Sequence, residues 1–275
     1  MPETVVIGGV ERGLGWQPSL AATIARLHRE KKLSFSHDHP KLAARAPQAD
    51  WAESSCEHFW KYRKNQASTS MCVGGSGAHV LSTSFAKAGF DVDISPAAIY
   101  APICGGSDNG ANMADALEAM QKYGAFPSGF AGIGDFDWRM AYRSKFWQEP
   151  QSSIGQGAAK YKILEAVFCG DDVDAFLDGL QSGQWCGQFG MGAGRNFETD
   201  ADGWLPSWDR TGINHALFAT GGMKKHPRNG TWGIEGGNSW GGDWGLNGVF
   251  WFDPADWLPH NGQELWLCRS ATIPR

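Results

Sequence analysis

Four polar side chains, Gln66, Cys72, His215 and Asn238, are of the types that together transfer acyl groups. A cysteine attacks a carbonyl carbon as its thiolate, and an adjacent imidazole lowers the thiol pKa and later moves the proton. Asn238 can hold the far nitrogen of such an imidazole and thereby orient the ring. The Gln66 amide and the Cys72 backbone N–H, six residues apart, can stabilise a tetrahedral oxyanion. The set predicts thiol-dependent acyl transfer.

Each of these residues, taken alone, also has an ordinary structural explanation. A single cysteine is most often a small buried apolar side chain, and a histidine before a strand usually belongs to the core or a loop. An Asn-Ser pair among glycines is usually a turn. The combination favours chemistry, because Trp240 follows Asn238 and an indole there shields a His–Asn hydrogen bond from water.

Helices are predicted around the cysteine and after it. Cys72 begins a helix that runs to about residue 88, which places its thiol at the positive end of a helix dipole. Residues 112–123 have apolar side chains at three- and four-residue spacing, and Gly124 ends that helix. Shorter elements are predicted over residues 94–101 and 173–180.

The second half of the chain has a β pattern. Apolar segments separated by glycine-rich turns predict strands over residues 185–191, 216–220, 231–235, 248–252 and 264–267. Helices followed by strands indicate an α+β protein.

The first 46 residues form a separate N-terminal segment, called the leader below. Residues 13–18 predict a turn, and Ser19 can cap a helix that ends near Lys32. Residues 128–160 are predicted to be rich in loops.

Composition narrows the function classes. The 275 residues are 42% hydrophobic and 19% charged, as in a globular protein, and the net charge of −5 argues against a nucleic-acid partner. We find no segment apolar enough to span a membrane and no secretory signal. Six cysteines are too few for a disulfide scaffold and favour a cytoplasmic or other reducing compartment. No metal ligand set and no cofactor are predicted.

The segments around the four polar residues resemble the papain-like cysteine peptidases. Residues 65–85 resemble the family's oxyanion glutamine, nucleophile and central helix, and residues 212–252 resemble its histidine strand and asparagine-tryptophan loop. Ile94-Ser95-Pro96 resembles another family segment, and Asn109-Gly110-Ala111 resembles the wall that binds an extended substrate backbone.

The resemblance implies a helical left subdomain (about 47–145) and a β-barrel-like right subdomain (about 146–275), with the active site in the cleft between them. It implies a cysteine endopeptidase that works through a thioester acyl-enzyme and acts on peptides or proteins. The residues that it implies for catalysis are Gln66, Cys72, His215 and Asn238, and those for substrate binding are Asn109, Gly110, Ala111, Ile213, Asn214 and Trp240.

The nucleophile flank departs from the family pattern. Met71 and Val73 surround the cysteine, and Gly74, Gly75 and Gly77 each cost about 1 kcal/mol in a helix interior, so we expect a loosened helix start. Thr69 and Asp108 stand where the family has the two cysteines of a disulfide.

These departures leave alternative functions open. One is a papain-like scaffold with weak or no catalysis that serves in a large assembly such as a phage virion, and another is transamidation or deamidation on the same residues. The leader is expected to act as an inhibitory segment across the cleft or as a docking arm.

Overall fold

The computed structural model describes residues 4–39, 42, 50–209, 212, 214–261 and 264–270. Its helices are α1 (Ala21–Arg29), α2 (Cys72–Lys87), α3 (Pro96–Tyr100), α4 (Met113–Lys122), α5 (Trp138–Ser144), α6 (Ser153–Ala158), α7 (Val173–Gln181) and α8 (Pro254–Asn261). Its strands are β1 (Thr4–Ile7), β2 (Val10–Gly13), β3 (Ser34–Phe35), β4 (Glu165–Gly170), β5 (Cys186–Met191), β6 (His215–Lys225), β7 (Trp232–Gly237), β8 (Val249–Phe252) and β9 (Leu265–Arg269).

Strands β3 to β9 form a seven-stranded sheet in the order β3-β4-β9-β5-β6-β7-β8 within the described residues. The β3–β4 pair is parallel and the other neighbours are antiparallel. His215 begins β6, and Asn238 directly follows β7, where Gly237 pairs with Phe218. Because β6 and β7 are antiparallel, His215 and Asn238 lie at the same end of these two neighbouring strands.

Helix α2 lies between the helical layer and the sheet. Every residue from Cys72 to Phe85 is buried, and the helix packs against α3, α4 and β6. A Cβ on Gly74 would lie 2.8 Å from the carbonyl oxygen of Pro96, and one on Gly75 would lie 2.8 Å from the Cβ of Ser239. The expected loosening of the helix start is wrong, because these glycines permit close packing in a continuous helix.

Two apolar cores lie on the two faces of the sheet. The first gathers α2, α3 and α4, with side chains such as Leu81, Ile99 and Met120, against the sheet face that carries Phe218. The second includes Phe189 and Leu217 on the opposite face. The α+β class is confirmed, while the residue limits of the leader and the two subdomains stay a prediction.

Several local expectations need correction. The leader contains the β1–β2 hairpin, which the sequence did not predict, and residues 128–160 contain helices α5 and α6. Helix α1 begins after Leu20 with no side-chain cap, and the backbone N–H of Ser19 donates to Oε2 of Glu264 at 2.9 Å. Within the described part of the chain, every helix is too short or too polar to cross a membrane.

Candidate active site

Cys72 is the first residue of α2 and has no solvent exposure. Desolvation by burial raises the pKa of its thiol to about 12, although the backbone N–H groups of Ala216, Val73 and Cys72 itself oppose that rise. The hydrogen bond from Ala216 places the sulfur beside β6, next to His215. The thiol is therefore neutral at physiological pH in this structure, where it is enclosed by protein.

His215 is held by Asn238. Nε2 of His215 lies 2.9 Å from Oδ1 of Asn238, and the imidazole stacks on the indole of Trp240 with ring centroids 4.6 Å apart and planes 25° apart. All three side chains are buried. The indole therefore covers the ring and shields the His–Asn bond, as the sequence predicts.

The amide oxygen of Asn238 determines which imidazole nitrogen carries the proton. That oxygen can only accept, so Nε2 carries the proton in the neutral ring and Nδ1 keeps its lone pair. Nδ1 of His215 is buried and has no hydrogen-bond partner among the described residues. Burial lowers the pKa of His215 to about 4, and the hydrogen bond that Nε2 donates to Asn238 opposes this decrease. The pair Cys72–His215 is uncharged in this form.

The Gln66 side chain donates both of its amide hydrogens. Nε2 lies 2.7 Å from the carbonyl oxygen of Thr69 and 3.1 Å from that of Gly13, while Oε1 accepts from the hydroxyl of Ser239. The indole Nε1 of Trp240 lies 3.3 Å from the same Gly13 oxygen. Gln66 and Trp240 thus both donate to one carbonyl oxygen of the leader.

The leader continues along the predicted substrate wall (residues 109–111). The N–H of Ala111 donates to the carbonyl oxygen of Gly15 at 2.8 Å, and the N–H of Gln17 donates to the carbonyl oxygen of Ala111 at 2.8 Å. Trp16 and Ala111 form a parallel bridge. Nε2 of Gln17 also donates to the carbonyl oxygen of Asn109 at 2.7 Å.

The opposite wall of the cleft binds the same leader residues. The carbonyl oxygen of Asn214 accepts the N–H groups of Gly15 and Trp16, each at 3.2 Å. Backbone groups on both sides of the cleft therefore hold an extended chain between them. The predicted binding residue Ile213 lies outside the described residues.

Sequence reasoning missed the leader residues in the cleft. Gly13 and Gly15 are needed there, since a Cβ on Gly13 would overlap the carbonyl oxygen of Thr69 and one on Gly15 would overlap that of Ser70. The Gly13-Leu14-Gly15 spacing predicted a turn, but it also fits a strand pressed against a wall. On the other side of Gly13, Arg12 donates to the carbonyl oxygen of Trp240 at 2.9 Å.

All six cysteines are buried, and no disulfide joins any of them in the part of the chain that the structure describes. Asp108, which stands at one predicted half-cystine position, accepts the backbone N–H of Ser70 at 3.0 Å. Within the described residues, no three His, Cys, Asp or Glu side chains meet in a way that would hold a metal ion.

Solved structures that are similar to this chain include cysteine proteases. The chain is similar to xylellain, a cysteine protease from Xylella fastidiosa, with 19% identity, 95% of this chain and 97% of that chain covered, and a TM-score of 0.67. It is similar to digestive procathepsin L2 from the larval midgut of Tenebrio molitor (16% identity, 96% and 85% covered, TM-score 0.63). It is also similar to the bromelain protease from Ananas comosus, solved with the E64 inhibitor (14% identity, 82% and 100% covered, TM-score 0.62).

At the level of sequence, no protein-family model and no curated protein matches this chain. The structural likeness nevertheless covers nearly the whole chain, leader included in the first two cases. The chain therefore has the papain-like cysteine protease fold, which confirms the fold that the sequence resemblance implied.

Proposed function

We propose that this protein is a cysteine endopeptidase, with Cys72 as nucleophile and His215 as general acid and base. The observation that carries the proposal is the oriented imidazole: Nε2 is bound to Asn238, and Nδ1 has no hydrogen-bond partner among the described residues. The position of Cys72 at the start of α2 favours its thiolate once the site is hydrated. The resemblance and the fold both agree with this assignment.

The reaction proceeds through a thioester. Nδ1 of His215 takes the thiol proton, and the sulfur of Cys72 attacks the substrate carbonyl carbon while Gln66 donates to the developing oxyanion. The carbon–nitrogen bond breaks, and the leaving amine receives the proton from His215. A water molecule, deprotonated by His215, then attacks the thioester, which releases the acid and restores the thiol.

The leader acts as an inhibitory segment. Its backbone takes up the hydrogen-bonding groups of Ala111 and Asn214 that a peptide substrate would use, and its Gly13 oxygen takes up the Gln66 donor. Displacing it hydrates Cys72 and His215, so the thiol pKa falls and the imidazole pKa rises. The closed form is the resting form, and opening of the leader precedes catalysis.

A second candidate function is a scaffold with weak or no catalysis. The observation that favours it is the burial of Cys72 and His215, which leaves both groups uncharged and out of contact with water in the closed form. In that case the leader stays docked, and the protein serves as a binding or structural component of an assembly such as a virion.

Intact-mass analysis after exposure to a peptidyl epoxysuccinate tests the assignment, with Cys72→Ala as the control. One adduct per chain, lost in the control, supports an activated thiol beside a peptide-binding cleft. An unlabelled chain, even with its leader displaced, rejects the peptidase and supports the scaffold. Product masses separate hydrolysis of the peptide bond from transamidation or deamidation, since deamidation leaves the substrate chain uncut.

A further inference from the structure

The carboxylate of Asp108 lies between the turn that precedes Cys72 and the predicted substrate wall (residues 109–111), which must cooperate in the proposed reaction. Its Oδ1 accepts the backbone N–H of Ser70 at 3.0 Å and the hydroxyl of Tyr100 at 3.3 Å. Ser70 belongs to the nucleophile turn (residues 66–72) and precedes Cys72 by two residues. One side of the carboxylate is thus bound to the segment that carries the thiol.

The same carboxylate oxygen is also linked to the substrate wall, through the hydroxyl of Tyr100. Tyr100 is fully buried on α3, and its hydroxyl oxygen accepts the backbone N–H of Gly110 at 3.0 Å. Gly110 directly precedes Ala111, whose backbone holds the leader. A continuous chain of hydrogen bonds therefore runs from Gly110 through Tyr100 and Asp108 to Ser70.

The charge of Asp108 also acts on the thiol. Burial raises the pKa of the Asp108 carboxyl, while the N–H of Ser70, the hydroxyl of Tyr100 and the charge of Arg139 lower it. The carboxylate in turn contributes to the raised pKa of Cys72 and of Cys104. Asp108 thus aligns the site at the cost of a less acidic nucleophile.

We propose that Asp108 is a positioning residue that holds the nucleophile turn at a fixed distance from the substrate wall through Ser70, Tyr100 and Gly110. This inference rests on the proposed function for its effect on catalysis, although the hydrogen-bonded link itself does not. Fixing that distance matters because the wall aligns a peptide while Cys72 attacks it, and small misplacements of reacting groups slow such steps strongly.

The test compares two thiol reagents in the full chain. A peptidyl epoxysuccinate needs the wall, whereas iodoacetamide needs only the thiol, and both need the same opening of the leader. The ratio of the two rates of Cys72 labelling, measured by peptide mapping, therefore cancels the effect of a variant on leader opening. Tyr100→Phe removes the hydroxyl but keeps the ring, and we expect the ratio to fall about five- to tenfold, the effect of one hydrogen bond.

Substitutions at Asp108 separate its geometry from its charge. Asp108→Ala removes both hydrogen bonds and should lower the ratio at least as much as Tyr100→Phe. Asp108→Asn keeps an amide oxygen for Ser70 and Tyr100, so it should restore the ratio while shifting the pH profile of iodoacetamide labelling to lower pH. Asp91→Asn, at an exposed carboxylate, is the control and should change neither quantity.

Two results would overturn the proposal: a wild-type ratio in Asp108→Ala, or an equal loss of the ratio in Asp108→Ala and Asp108→Asn. If Cys72 takes neither reagent in any variant, the proposed peptidase fails instead, and amide hydrogen exchange decides the link. Faster exchange at Gly110 in Tyr100→Phe and at Ser70 in Asp108→Ala supports it, and unchanged protection at both amides rejects it.

Discussion

The main-chain oxygen of Gly13 lies 3.1 Å from Nε2 of Gln66. The indole N–H of Trp240 points to the same oxygen from 3.3 Å. Two side-chain donors thus converge on one carbonyl oxygen of the leader. In the proposed reaction the leader and the substrate compete for the Gln66 donor, and the predictions below follow from that competition and from the buried groups around it.

Substituting Gly13 should open the cleft. A Cβ at this position would overlap the Thr69 carbonyl, and overpacking against backbone costs about 1–3 kcal/mol, which corresponds to about 5- to 150-fold in the population of the open form. We expect Gly13→Ala to raise the rate of Cys72 labelling by a peptidyl epoxysuccinate by at least about fivefold.

Gly134→Ala is the matched control, because its added Cβ would lie 3.7 Å from the nearest atom, the Cβ of Asp137. A Gly13→Ala chain that is folded and labels at the wild-type rate would show that the leader does not control access to the thiol.

Asn238→Ala should impair catalysis without opening the cleft. Nε2 of His215 loses its 2.9 Å acceptor, so the ring is free to turn and to place its proton on either nitrogen. A lost hydrogen bond at a buried site costs about 1–3 kcal/mol, and we expect turnover in a leader-displaced chain to fall about 10- to 100-fold. Peptide hydrolysis measured beside an exposed control, Asn196→Ala, tests this. Equal turnover in both variants would remove Asn238 from the proposed mechanism.

A buried histidine that the proposed reaction does not use should limit acid stability. His79 on α2 is 1% exposed, lies between the rings of Trp60 and Phe218, and has no hydrogen-bond partner for either nitrogen among the described residues. Burial, aided by the charges of Lys64 and Arg63, holds its pKa well below 6.5. The unfolded chain therefore binds a proton near pH 6.5 that the folded chain does not, so stability falls as pH drops through that value.

His79→Phe fills the same aromatic site without a titrating group. We expect the decrease in Tm between pH 7 and pH 5 to shrink by several degrees in this variant, with His215 contributing part of what remains because its pKa is also lowered. The exposed His37 gives the control substitution, His37→Phe. An unchanged pH dependence of Tm in His79→Phe would contradict the prediction.

Docking of the leader should weaken as pH rises. Glu264 is 5% exposed and accepts from the N–H and hydroxyl of Ser19 and from the indole of Trp266. Burial raises the pKa of its carboxyl more than the hydrogen bonds from Ser19 and Trp266 lower it, and the nearby Asp115 adds to the rise. The docked leader keeps this carboxyl out of water, so the docked form binds its proton more tightly than the open form and is favoured at lower pH.

Glu264→Gln removes that proton from the equilibrium. Amide hydrogen exchange at Gly15 and Gln17, taken as the ratio of wild type to Glu264→Gln, cancels the intrinsic pH dependence of exchange. We expect the ratio to rise from pH 5 to pH 8. A constant ratio over this interval would mean that Glu264 does not couple the leader to pH.

Much of the fold could be predicted because periodicity and turn chemistry agree with the tertiary packing. Helix α4 begins after Asn112, whose side chain accepts the N–H of Asp115, and Gly124 beyond its end has φ of +78°. The strand pattern after His215 was also clear, since short apolar segments alternate with glycine turns. Helices α5 and α6 were missed because their short segments lack a repeated apolar face.

The candidate site was predictable in its residue types, and the leader was expected across the cleft or as a docking arm, but its individual contacts were not predicted. Cys72, His215 and Asn238 were found by type and order, and the structure brings His215 against Asn238 and beside the segment that touches Cys72. The docking of Gly13 against Gln66 is a contact between distant segments, and the leader contributes to it only a backbone carbonyl, a group that every residue has. No side-chain pattern in a single sequence encodes such a contact.

The burial of all six cysteines has a consequence for the lifetime of the protein under oxidative stress. Peroxides attack thiolates that reach solvent, and a neutral, enclosed thiol resists conversion to sulfenic and higher acids. In the proposed mechanism, Cys72 has both protections only while the leader is docked. Opening of the leader, which activates the thiol, therefore also exposes it to irreversible oxidation, and the open form should be inactivated by peroxide faster than the closed form.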